Sequence, residues 1–219
     1  MLSAALALTM AGSPAAIEAQ PSGHLRHGSK SHGHIHAPGE IDEDHGPLLL
    51  QVNYTADLIG NASGGLRRGT RYLDNLDIVI EADMERLVGW KGAQVHIYGL
   101  YNNGASISDL AGDTQASSNI ETGVRAARLY EAWIDQKIGD AVSLKAGLYD
   151  LNSEFDALDA AGLFTSSANG IGTDYAQSGE HGPSIFPWTS LAARLQIEPA
   201  AGWAVRAAIL DGVPMMQKS

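Results

Sequence analysis

Leu76-Asp-Ile-Val-Ile-Glu-Ala-Asp-Met-Glu85 sets Leu76, Ile78, Ile80, Ala82 and Met84 against Asp77, Val79, Glu81, Asp83 and Glu85 in alternation. Successive side chains of an extended chain point to opposite faces, so a period of two predicts a strand with one side in an apolar medium and the other in water. The same pattern runs upstream through Leu50, Val52, Tyr54, Ala56 and Leu58, and downstream through Val95 and Ile97. It returns at Leu191, Ala193, Leu195 and Ile197, then at Trp203, Val205, Ala207 and Ile209. Two further segments, about 123–136 and 142–150, follow it less cleanly. Seven strands are therefore expected, at about 48–59, 72–85, 93–102, 123–136, 142–150, 190–198 and 203–211.

Alternation does not say which apolar medium covers the greasy side. A soluble sandwich hides it against a second sheet, whereas an outer-membrane barrel shows it to lipid. Strands of about ten residues suit a tilted crossing of the bilayer, against about 5–6 in ordinary sheets. The expected connections run to about 12, 7, 20, 5, 39 and 4 residues, long and short in turn, as in up-and-down barrels with long outer loops and short periplasmic turns. Gly89-Trp-Lys-Gly92, Gly139-Asp140 and Pro199-Ala-Ala-Gly202 supply turn chemistry for the short ones. Trp90, Trp203, Tyr54, Tyr72 and Tyr101 fall near strand ends, where the aromatic girdles of such barrels sit. The expected class is all-β: an antiparallel up-and-down transmembrane β-barrel.

Composition narrows the function. Lys and Arg number 14 against 25 Asp and Glu in 219 residues, and the net charge of −11 disfavours nucleic acid and anionic lipid headgroups as partners. Without cysteine the chain has no disulfide frame, no zinc–thiolate cluster and no thiol nucleophile. No Gly-x-Ser-x-Gly elbow is present, and Gly170-x-Gly172 does not continue to a third glycine. Asp150, Glu154 and Asp156 could serve a glycosidase in principle, but they fall in a loop and read more simply as a solvated polar face. The chain is expected to be non-enzymatic and to carry no cofactor.

If lipid covers one face, the other lines water. It presents Glu81, Asp83, Glu131, Trp133, Asp135, Lys145, Tyr149, Arg194 and Arg206, with Asp150 at the edge of, and Glu154 within, the connection at about 151–189. Charged groups bond sugar hydroxyls and rings offer a face to the sugar's C–H side, so a passage for polyhydroxylated solutes fits; a generic polar lumen is the plainer alternative. The connection at 151–189 is too long for a bare link. It is expected to fold into the lumen and narrow it.

The N-terminus reads differently. Residues 1–19 resemble a secretory signal peptide, with an apolar run over residues 2–11 and small residues near the end. Residues 20–47 carry six histidines and an acidic run without hydrophobic period, and are expected to be a disordered periplasmic linker. His32, His34 and His36 could hold a divalent ion weakly. Residues 48–219 are expected to form the barrel part.

Several stretches are also familiar. Gly147-Leu-Tyr-Asp-Leu-Asn-Ser-Glu-Phe155, Gly162-Leu-Phe-Thr-Ser-Ser167, Gly170-Ile-Gly-Thr-Asp-Tyr-Ala-Gln-Ser-Gly179, Gly182-Pro-Ser-Ile-Phe-Pro187 and Ala192-Ala-Arg-Leu195 resemble the carbohydrate-selective porins of the OprB type. Leu129-Tyr-Glu-Ala-Trp-Ile-Asp-Gln136 and Leu87-Val-Gly-Trp-Lys-Gly92 are similar to that family too. The resemblance, over about residues 48–214, implies a Gram-negative outer-membrane barrel of roughly sixteen strands that passes glucose-type sugars by diffusion. It also implies an inward-folded loop at about 151–189. With about seven strands, the chain is expected to be the N-terminal part of such a barrel, its partners sugars and outer-membrane lipid, with oligomerisation open. A secreted soluble β-sandwich that binds glycans is the competing arrangement, and a periplasmic metal-buffering protein using residues 24–45 a third.

Overall fold

The computed structural model describes residues 4–12, 46–158, 163–179 and 182–212. Its strands are β1 (Ala4–Gly12), β2 (Leu48–Asn61), β3 (Gly69–Asp83), β4 (Ala93–Asn102), β5 (Ala126–Ile138), β6 (Val142–Tyr149), β7 (Ser190–Ala200) and β8 (Trp203–Asp211). They form one antiparallel sheet in the order β1-β8-β7-β6-β5-β4-β3-β2. From β2 to β8 every strand pairs with its sequence neighbour. This is the up-and-down topology expected, as part of an open barrel.

β1 was not among the expected strands. It occupies residues read as the export leader and pairs with β8 from Ala4↔Asp211 to Gly12↔Trp203. A sheet edge carries a row of unpaired amides and carbonyls, and an apolar stretch of matching length satisfies them. The histidines His32, His34 and His36 lie outside the described residues.

The two faces differ sharply. Leu48, Leu50, Val52, Leu58, Ile78, Ile97, Leu129, Ile134, Leu144, Leu191, Leu195, Ile197 and Ile209 all point to one side of the sheet and all are exposed. Leu58 leaves 75% of its surface open, and Leu50 and Leu191 each leave 62%. A sandwich would bury these residues under a second sheet, and among the described residues there is none. The soluble-sandwich alternative therefore fails on topology. A water-exposed apolar face of this extent is not tolerated by soluble monomers; hydrocarbon is the medium that suits it. Ten residues of β4, at about 3.3 Å each and tilted by ~40°, rise about 25 Å, the height of the apolar band of an outer-membrane barrel. Trp203 stands outward at the short-turn end of this band, where Trp90 is exposed in the turn before β4, and Tyr54, Tyr72 and Tyr101 face outward towards the other. No helix among the described residues is long and apolar enough to cross a membrane, which says nothing of crossing by strands.

The expected loop alternation holds only in part. The connections 103–125 and 150–189 are long, while 139–141 and 201–202 are short. In the first pair the order is lost: β2 and β3 run on to 14 and 15 residues and shorten their loop to 62–68. The following turn, 84–92, is lengthened by helix α1 (Met84–Val88). Met84 and Glu85, read as strand, belong to that helix because Asp83 accepts from the amides of Glu85 and Arg86 and caps it.

Candidate functional site on the concave wall

The polar side of the sheet is built from alternate residues, and one irregularity sets its phase. Tyr98 pairs with Glu131 and Gly99 with Leu129, leaving Tyr130 as the extra residue of a β-bulge. Before the bulge Ala126, Arg128 and Tyr130 point inward; after it Glu131, Trp133 and Asp135 do. A bulge puts two neighbours on one face and re-aims the strand beyond it. It also explains why residues 123–136 break the period of two.

Trp133 is the centre of the wall. His96, its partner across β4, stacks on the indole with centroids 4.6 Å apart and planes 5° from parallel. From β6 on the other side, the Lys145 ammonium lies 4.1 Å from the indole centroid and 4.9 Å from that of Tyr149. The indole N–H donates to Glu131 at 3.0 Å, and His96 Nδ1 lies 3.2 Å from Glu81. Trp133, Glu131, Lys145 and His96 are all buried.

The connection 150–189 packs over Trp133, Glu131 and Lys145. Asp150 caps a short 3-10 turn, Leu151–Ser153, by accepting from Asn152 N, and it accepts the Tyr130 hydroxyl at 2.7 Å. The turn delivers Glu154 to the wall. Its carboxylate accepts from Lys145 Nζ at 2.6 Å, from Arg194 Nε and Nη2 at 2.8 and 2.9 Å, and from the Tyr149 hydroxyl at 2.9 Å. Arg194 also reaches Asp135 at 2.8 Å and Ser143 Oγ at 2.5 Å. Arg206, more open, bonds Gln196 at 2.6 Å and sits 3.9 Å from Glu154. Phe155 and Leu151 pack with Trp133, Tyr149, Ala208 and Leu210 in a compact apolar cluster. Further along, Ser184 Oγ donates to Tyr149 O at 2.6 Å and the Thr189 hydroxyl donates to Tyr130 O. The two long connections also bond each other, Asn119 N to Thr165 O at 2.7 Å and Ser167 N to Ala116 O at 3.0 Å. The connection 150–189 folds onto the concave face, where the sequence analysis expects it.

Of the residues singled out in the sequence, Glu131, Trp133, Asp135, Lys145, Tyr149, Asp150, Glu154 and Arg194 meet in one network, with Arg206 at its edge and Glu81 joined through His96. Asp83 stands apart, engaged in capping α1. The sequence analysis did not single out Arg128, whose Cζ lies 4.4 Å from the Trp188 ring centroid. Its position in the bulged strand hid its face. Among the described residues no cluster of three or more His, Cys, Asp or Glu is arranged to hold a metal.

The loop carboxyls titrate in opposite senses. Burial opposes ionisation of Glu154, but the adjacent Lys145 ammonium and Arg194 guanidinium outweigh it and hold the carboxyl at about 2. Burial dominates at Asp150 and raises it to about 6. A lowered carboxyl gives stability above its unfolded value of 4.5 that is lost as pH falls towards 2. A raised one gives stability at low pH that is lost as pH climbs from 3.8 through about 6. Each contribution is on the order of a few kcal/mol. The thermal midpoint in detergent is expected to rise on acidification from pH 7 towards 5 and to fall steeply below about 4. A circular-dichroism melting series over that range checks it, and a midpoint unchanged down to pH 2 would remove Glu154 from the role of loop anchor.

Comparison with known proteins agrees with this geometry. The family model described as carbohydrate-selective porin, OprB family, matches residues 67–217. Among solved structures, one described as the high pH structure of Pseudomonas putida OprB superposes with a TM-score of 0.65 at 20% identity. The match covers 74% of this chain and 40% of that one, so the chain spans two-fifths of the length of the protein it superposes on. No curated protein matches the chain.

Proposed function

Because the chain belongs to the OprB family of carbohydrate-selective porins, we propose that its sheet forms part of the wall of a Gram-negative outer-membrane channel through which small sugars diffuse. The observation that carries this reading is the division of one sheet into an exposed apolar face and a face of charges and rings. Lipid takes the first and an aqueous lumen the second. On the lumen side Glu81, Glu131, Trp133, Asp135, Lys145, Tyr149, Asp150, Glu154 and Arg194 form the floor under the inward-folded connection, and Arg206 is its more open margin. Residues 1–19 serve as the export leader and 20–47 as a periplasmic linker. Cleavage after residue 19 removes β1 and frees the backbone edge of β8 for pairing.

The test is made in a porin-deficient Gram-negative host producing the chain within a closed barrel, its sheet replacing the matching strands of an OprB-family porin. The protein is expected in the outer-membrane fraction, and glucose uptake at low external concentration is expected to rise several-fold over the host alone. A protein recovered from the soluble periplasm, or uptake no faster than in the parent cells, would end the proposal.

A further inference from the structure

Resting on that reading, we propose that Arg67, Arg68 and Arg125 form a docking surface on the outer rim of the sheet, which takes the phosphate groups of the glycolipid in the outer leaflet. The cations of this sheet fall into two sets. On the concave wall Lys145 and Arg194 are held by Glu154 and Asp135. At the long-loop end Arg67, Arg68 and Arg125 are exposed, and among the described residues none of them forms an ion pair. From Leu58 to Leu73 the sequence holds Arg67, Arg68 and Arg71 and no acid. Of the flanking acids, Asp57 accepts from Ser118 Oγ at 2.8 Å, and Asp74 from Asn103 N at 3.0 Å and the Tyr54 hydroxyl at 3.1 Å. Glu121, before Arg125, accepts from Ser108 N at 3.2 Å. The net charge of −11 disfavours anionic surfaces for the chain as a whole. Salt confines the field of exposed charges to about 8 Å, so at this rim the local sign decides.

Register sets the depth of these arginines. Tyr72 and Tyr101 face outward near the long-loop margin of the apolar band. Arg68, just before β3, has the outward parity of Thr70 and Tyr72. Arg125, just before β5, has that of Ala127, the cross-strand partner of Tyr101. Arg71, paired with Ile59, falls on the inward register and is left out. At ~3.3 Å per residue and a tilt of ~40°, Arg68 stands about 10 Å beyond Tyr72 and Arg125 about 5 Å beyond Tyr101. The polar layer outside the hydrocarbon is at least ~5–8 Å deep on each side, so the arginines fall in it or at its outer limit. The loop that carries Arg67 and Arg68 has a fixed backbone. Asn61 Nδ2 donates to Gly64 O, Arg67 O and Leu110 O at 3.0, 2.9 and 3.2 Å, and the amides of Leu66 and Arg67 donate to Leu110 O at 2.8 and 3.0 Å. Pinned main chain with solvated side chains presents the cations without a cost in loop ordering. Residue type agrees as well. Lys91 and Lys137 stand at the short-turn end, whereas this rim carries arginine, whose forked donors meet phosphate oxygens in pairs.

The closed barrel of the uptake test is purified in neutral detergent and titrated with phosphorylated lipid A and with the same lipid stripped of its phosphates. Retained lipid is counted by native mass spectrometry. The phosphorylated form is expected to bind at least tenfold more tightly. R67Q/R68Q/R125Q is expected to lose most of that difference, and K91Q/K137Q, at the opposite rim, to keep it. All these side chains are exposed, and glucose uptake at the unaltered rate verifies that each variant folds. Equal retention of the two lipids would overturn the proposal, as would a preference that survives in R67Q/R68Q/R125Q or is lost equally in K91Q/K137Q. Inorganic phosphate displacing the lipid at equal concentration would overturn it too, because a small-anion site needs no membrane. If glucose uptake rises and the lipid preference is missing, this inference alone falls. If the protein is recovered from the soluble periplasm, the porin reading falls and takes this inference with it.

Discussion

Replacing Glu154 by glutamine is expected to loosen the connection 150–189 from the wall and to lower stability by about 3–5 kcal/mol. The amide keeps the shape of the carboxylate and removes its charge. Lys145 and Arg194 are 2% and 3% exposed, so water does not replace what they lose. Asp135 still pairs with Arg194, while Lys145 would keep only the faces of Trp133 and Tyr149. Breaking a buried ion group on one side is costly because the other side stays charged. The measurement is urea unfolding in detergent, with limited proteolysis inside 150–189 as the local readout. The expected signs are a lowered midpoint and a cleavage rate raised at least tenfold. A second change separates lost charge balance from lost shape. E154Q combined with K145M removes one uncompensated cation and fills its place with an apolar chain, so part of the stability should return. If the double variant is as weak as the two single changes added together, the charge argument is wrong.

Much of this was legible in the sequence, and the reasons differ between elements. β4, β7 and β8 obey strict alternation, and their expected spans lie within two residues of the observed strands. Their period of two is a direct imprint of lipid on one side and water on the other. β5 blurred because the bulge at Tyr130 changes the parity of the inward positions halfway along. The same shift hid Arg128, although the presence of Tyr130, Glu131 and Trp133 within four residues was a hint that two registers met there. The β3 end was misplaced because Met84 and Glu85 continue the alternation, while the Asp83 cap, a side-chain matter, decides for helix. The site was legible as a list and not as a network. Lys145, Arg194 and Glu154 each fit a polar wall, but nothing in their spacing says that a loop glutamate closes over two strand cations. That depends on how the 3-10 turn after Asp150 aims the chain. The consequence is physical: most of the charged residues read as lining the wall are the base on which the connection 150–189 stands, with Arg206 at the more open margin.

The substitution Gly147→Ala is expected to be as damaging as the loss of the Glu154 charge, although it adds a single methyl group. Gly147 lies in β6 directly opposite Trp133, with φ at 142°. That backbone conformation is closed to side chains by sterics with their own peptide units. Space is also lacking. A Cβ built there would lie 2.1 Å from Ala132 O and 2.6 Å from Trp133 Cα. Both are backbone atoms, so no rotamer change relieves the contact, and β5 and β6 must separate. The cost is a strained dihedral plus lost ladder bonds, about 3 kcal/mol or more, and it falls where Lys145 and Trp133 meet. The expected result is a sharp loss of folded protein in detergent, read by the heat-resistant migration of the folded form on gels. Ala146→Val, one residue earlier on the exposed outer face, is the control and should fold normally. The pair W133A/G147A decides the cause. If the obstruction is the backbone of β5, trimming the indole does not restore folding; recovery in that variant would show that the ring, and not the close approach of the two strands, requires glycine at this place.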